Sequence, residues 1–140
     1  WNMIKARLLK NEDYPTLVKW WKDNRFPVMG IDYLPQVDGI IQGVMIYNND
    51  QDICAGFIIN TTVKTGAMVE YIVANFEVKD RDLRRESISL LIETICEICK
   101  SMGKTFLFTS LKHPSLKPAL EKEGFSIGSK DTCEMIKNLY

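Results

Sequence analysis

Between Ala67 and Met102 the hydrophobic period changes once, and that change limits the fold more than any other feature of the chain. The run "AMVEYIVANFEV" is rich in β-branched and aromatic residues, as an inner strand requires. After the charged stretch "KDRDLRRES", Ile88, Leu91, Ile92, Ile95, Ile98, Cys99 and Met102 recur at helical spacing. Glu93, Glu97 and Lys100 fall on the other side of that helix. Gly103 stands where a helix end favours glycine, and "KTFLFTS" follows as a short apolar strand. A strand over 69–76, a helix over 84–102 and a strand over 105–109 make a right-handed crossover, which puts the two strands parallel in one sheet.

The rest of the chain adds antiparallel material. "MIKARLLK" predicts a first strand over 3–9. "NEDYPTLVKWWKDN" predicts a helix, with Asn11 or Asp13 as cap and Pro15 in the first turn. "RFPVMGIDYLPQVDG" is broken by prolines and glycines and predicts irregular chain with one short helical turn. "IIQGVMIYN" and "ICAGFIINTT", split by "NDQD", read as a hairpin. "HPSLKPALEKEGF" reads as a short helix closed by Gly124, and "FSIG" with "DTCEMIKNL" as a final strand pair. The expected fold class is α/β or α+β, a mixed and mostly antiparallel central sheet with helices on both faces.

At 140 residues, 46% of them hydrophobic, the expectation is a single domain over 1–140 that buries about two thirds of its unfolded surface. Lys and Arg number 18 against 18 Asp and Glu, which removes the positive footprint of a general nucleic-acid binder. No apolar run nears the ~18 residues that span a bilayer, so no membrane partner is expected. Cys54, Cys96, Cys99 and Cys133 read mostly as buried, reduced thiols, in keeping with a cytoplasmic setting. Cys96 and Cys99 form a CxxC, but inside a helix and short of further ligands, so no metal is expected.

This element order, the strand, charged turn and long helix at its centre, and the late "HPSLKPALEKEGF" together resemble the GNAT family of acyl-CoA-dependent N-acyltransferases. With "LPQVDGIIQ" ahead of the second strand, the pattern is also similar to small phage-encoded GNAT-like proteins. The resemblance implies acetyl-CoA as co-substrate, no metal, transfer of an acyl group to a primary amine by direct attack, and a small-molecule or peptide amine as acceptor. It also admits a homodimer. In the family an Arg/Gln-x-x-Gly-x-Gly/Ala loop presents backbone amides to the CoA pyrophosphate at a helix N-terminus. Counted back from Leu90, the glycine positions fall here on Arg85 and Ser87 and the arginine position on Asp82. Leu120 stands four residues before Gly124, the place of the family's general-acid tyrosine, and cannot donate a proton.

Several residues are candidates for the site. Arg81, Arg84 and Arg85 crowd a helix start, where the dipole disfavours cations unless an anion binds. With Ser87 they are expected at the pyrophosphate, the helix offering unpaired N–H groups as well. Carboxylates of Asp80, Asp82 and Glu86 offer the plainer reading, a charged helix start. The backbone of Asn75, Phe76, Glu77 and Val78 is expected to pair with the CoA pantetheine. Glu70 is the one carboxylate in its strand, on a face expected to include Ile72 and Ala74, and is the candidate base. His113, the sole histidine, is a helix cap or a second catalytic side chain. Trp20, Trp21 and Phe26 are core residues or the lining of an acceptor pocket. A non-catalytic GNAT-like module binding CoA or protein is the alternative, and an interaction domain using "RFPVMGIDYLP" is a weaker one.

Overall fold

A computed structural model describes residues 3–49, 51–111 and 114–140. His113 lies outside the described residues. The chain runs β1 (Lys5–Leu8), a 3-10 turn, α1 (Tyr14–Asp23), a 3-10 turn at Ile31–Tyr33, then β2 (Gln36–Val37), β3 (Ile40–Ile41), β4 (Gly43–Tyr47), β5 (Asp52–Asn60) and β6 (Gly66–Ala74). It continues through α2 (Arg81–Ser101), β7 (Phe106–Phe108), a 3-10 turn and α3 (Lys117–Lys122). Five strands form the main sheet in the order β1-β4-β5-β6-β7, and β2 with β3 makes a separate small ladder. All main-sheet neighbours are antiparallel except β6 and β7, which are parallel across α2. The crossover unit, the hairpin and the mixed sheet therefore stand as expected. α2 begins three residues earlier than predicted because Asp80, not a later residue, caps it.

The sheet is covered on both faces. Leu17, Trp20 and Trp21 of α1 pack with Met45, Ala55, Phe57 and Val73 on one face. Leu91, Ile95 and Cys99 of α2 pack with Val44, Ile46, Cys54, Ile58, Ala67 and Val69 on the other. Each large apolar side chain buried this way contributes roughly 1.5–3 kcal/mol, so the two helices anchor the sheet from both sides. Trp20 and Trp21 are thus core and do not line a pocket, while Phe26 is 39% exposed. β1 is tied to the start of α1 by Arg7, which donates to both carboxylate oxygens of the buried Asp13 at 2.8 Å. Burial raises the Asp13 carboxyl, but the Arg7 and Lys10 hydrogen bonds outweigh it and hold the pKa below its ordinary value.

One expectation fails outright. Residues 125–140 form no strand pair; they are irregular and almost wholly exposed. Met135 is 87% and Ile136 84% exposed, so the segment buries too little apolar surface to offset the entropy of ordering it. No helix among the described residues is long and apolar enough to cross a membrane.

Candidate functional site

β6 and β7 are paired at only three positions, Gly66 with Phe106, Ala67 with Leu107 and Met68 with Phe108. Beyond them β7 ends, while β6 continues along β5 to Ala74. The two chains part, and no described strand takes the β7-facing edge of residues 69–74. Glu70 sits just inside this cleft. Its Oε1 accepts a hydrogen bond from the Ser110 N–H at 3.2 Å, bridging the gap between the strands. Burial pushes the Glu70 carboxyl above its ordinary pKa; the Ser110 hydrogen bond works the other way, and the charge of Glu134 adds to the rise.

The face on which Glu70 lies differs from expectation. Phe57 is opposite Glu70 and Ala55 opposite Val73, so β6 spends three residues where β5 spends two. Tyr71 is the extra residue, a β-bulge with φ 58°. A bulky L-residue in that conformation costs about 1–2 kcal/mol. The bulge shifts the two-residue alternation by one. Ile72 and Ala74 pack toward α2, whereas Glu70 shares the α1 face with Phe57. A strict alternation placed all three together, and the bulge is why it does not.

About 15 Å further along the strand, at ~3.3 Å per residue, comes the turn into α2. The expected pairing of a ligand with Asn75, Phe76, Glu77 and Val78 meets an obstacle, because most of these amides are already committed. The Asn75 N–H donates to the Ile53 carbonyl at 2.7 Å, the Glu77 N–H to Asn75 Oδ1 at 3.0 Å, and the Val78 N–H to the Asn75 carbonyl at 3.2 Å. The open edge of β6 offers the cleaner backbone for a ligand.

The arginines separate into three roles. Arg84 donates to the carbonyls of Asn75 (3.2 Å) and Val78 (2.8 Å), so it fastens the turn. Arg85 pairs with Asp82 at 3.2 Å on the surface. Arg81 joins Lys79, Arg84, Asn24, Phe76 and Val78 around a shallow hollow of about 290 Å³. Ser87 is fully buried, its hydroxyl without a hydrogen-bond partner, and so cannot reach a ligand at the turn. The α2 N-terminus is not unpaired either. The Asp80 carboxylate accepts from the N–H groups of Asp82 at 3.0 Å and Leu83 at 3.2 Å, as an N-cap does.

Sequence reasoning missed Lys79, whose ammonium sits 3.9 Å over the Phe76 ring, and Asn24, which joins the hollow from the end of α1 by donating to the Ala74 carbonyl. It also missed Tyr71 and Ser110. Only Lys79 had a signal, its place in the charged stretch; the others meet through tertiary structure. Leu120 is buried in the core at the place where the resemblance puts a tyrosine. A second hollow, about 360 Å³, lies at the far end of α2 beside Cys96, Cys99 and Phe125. Burial raises both thiols, so neither is a ready nucleophile, and burial pushes Cys54 up to about 12. Among the described residues no group of three or more metal-ligating side chains comes together.

No family model and no curated protein matches the chain. Solved structures do. A protein of unknown function from meticillin-resistant Staphylococcus aureus, described as a probable acetyltransferase, superposes with a TM-score of 0.70 at 16% identity over 97% of this chain and 99% of its own. A putative acetyltransferase from Salmonella typhimurium with acetyl-CoA gives 0.68 at 6% identity, over 91% and 82%. N-acetylglutamate synthase from Neisseria gonorrhoeae, complexed with coenzyme A and L-arginine, gives 0.69 at 10% identity over 96% of this chain. This chain covers only 30% of that synthase.

Proposed function

This chain has the GNAT fold, and from that premise we propose that it is an acyl-CoA-dependent N-acyltransferase acting on a primary amine. The observation that carries the reading is the cleft where β6 leaves β7, with the half-buried Glu70 carboxylate standing in it. Acetyl-CoA supplies an acyl carbonyl already activated for attack. The open β6 edge is suited to hold an extended chain by backbone hydrogen bonds, and Lys79 and Arg81 at the hollow are suited to its phosphates. Glu70 takes the proton from the acceptor ammonium, since a carboxyl with a raised pKa is a better base near neutrality. The freed amine then attacks the carbonyl directly, the carbon–sulfur bond breaks, and the CoA thiolate leaves and takes up the proton that the new amide nitrogen releases, so no protein nucleophile is needed.

A non-catalytic, GNAT-like module is the second reading. The Asp80 cap on the α2 amides and the buried Leu120 favour it. A thermal shift with acetyl-CoA separates the two on cofactor binding. At a hundredfold excess over Kd, binding adds about 2.7 kcal/mol of stability. Glu70→Gln should then keep the shift while turnover with a competent amine falls by roughly 10²–10⁴-fold. No shift in the parent overturns the acyltransferase reading, and unchanged turnover removes Glu70 from it.

A further inference from the structure

The α1 side of the cleft is unusually aromatic for the surroundings of a carboxylate. A line of rings runs out from the core: Trp21 stacks on Phe57 at 6.5 Å, and Phe57 meets Tyr71 edge-on at 6.1 Å. Tyr71 ends the line at the surface, 38% exposed, beside Glu70. Before the cleft opens, where β7 is still paired with β6, β7 turns two further rings to the same side. A Cβ on Gly66 would meet the Phe106 ring at 2.5 Å, and Gly66 faces away from Ala67, which packs toward α2. Phe106 and Phe108 therefore lie on the α1 side, 53% and 55% exposed, with Met68 between them and Glu70. A backbone held in the left-handed region by a bulky residue persists only where its surroundings hold it there, and such outliers gather at functional positions.

We propose that Tyr71 and Phe108 select an acceptor whose primary ammonium is joined by a short linker to an aromatic or flat apolar body, with Glu70 holding the ammonium. The inference rests on the reading of Glu70 as the acceptor's base. Charge and surface both favour this occupant. Glu70 and the nearby Glu134 repel anions, and their proximity, after burial, keeps the Tyr71 hydroxyl protonated beyond its usual range. Ring faces attract both an ammonium and an apolar body. A polyamine leaves the rings uncovered, and an acidic amino acid meets the carboxylates.

Calorimetric titration of the whole chain with three probes tests this without turnover. Phenethylamine has the ring and the ammonium, n-propylamine only the ammonium, and phenylacetate the ring with the opposite charge. Phenethylamine should bind on the order of tenfold tighter than either of the others. Tyr71→Ala should remove that preference. Tyr71→Gly, which also relieves the left-handed backbone, should remove it with the protein still folded by its melting curve. Equal affinity for the three probes, or a preference kept in both variants, overturns the assignment. An acetyl-CoA thermal shift on the same samples tests the acyltransferase reading separately. A shift without phenethylamine preference sinks the acceptor class alone, and a preference without a shift sinks the cofactor reading and leaves the amine site.

Discussion

Glu70 is held at a cost that varies with pH. Its carboxyl titrates above its ordinary value of 4.5 in the folded chain, chiefly because it is half buried. A folded pKa above the unfolded one gives stability that is complete below about pH 4.5 and is lost as pH rises through the folded value. Glu70→Gln removes that loss, and its amide oxygen still accepts from the Ser110 N–H. The variant should therefore melt about 1–3 °C above the parent at pH 8, with the gap closing toward pH 4, a modest shift because the site is partly solvated. Parallel melting curves across that range would show that Glu70 is as well solvated folded as unfolded. A gain in stability with a loss of turnover would mark a residue kept for chemistry and not for folding.

The start of α2 carries its own prediction. Asp80 caps the helix with a charged oxygen on two of the amides that a pyrophosphate would use. Asp80→Asn keeps a good cap and removes the charge. It should tighten CoA binding several-fold, more at low salt, while stability moves by less than about 1 kcal/mol. Unaltered affinity would place the phosphates away from this terminus and from the Lys79 and Arg81 that flank its cap. Arg84→Ala is a poor probe of binding, because losing its bonds to the Asn75 and Val78 carbonyls loosens the turn itself. At this scale the sequence was readable where period and caps speak: α2, its closing Gly103 (φ 85°), the hairpin and the parallel return strand. It was not readable where one residue changes a face. Nothing in "VEYIV" announces a bulge, so Glu70 was legible as a lone carboxylate while its neighbours were not. The arginines were legible as a cluster, but their division into clamp, surface pair and hollow lining depends on which carbonyls and carboxylates the fold brings near.

Over the whole molecule, stability is concentrated in two cores pressed against opposite faces of one sheet, and residues 126–140 contribute no buried side chain to either. Limited trypsin digestion should therefore cut first at Lys130 and Lys137, leaving a fragment that melts within a few degrees of the parent. A fragment that no longer melts cooperatively would mean that the tail is docked in solution. The tail was expected to form a final strand pair from "FSIG" and "DTCEMIKNL", but among the described residues the fold brings these no strand partner. The bulge at Tyr71 matters here in another way, as spare length. Deleting the Tyr71 codon lets β6 straighten: Glu70 stays opposite Phe57, Val73 opposite Ala55, and every buried side chain keeps its helix. A codon lost at Met45 in β4, where that strand has no residue to spare, moves Val44 or Ile46 to the wrong core. In a library of single-residue deletions, β6 should tolerate one gap, and only beside the cleft.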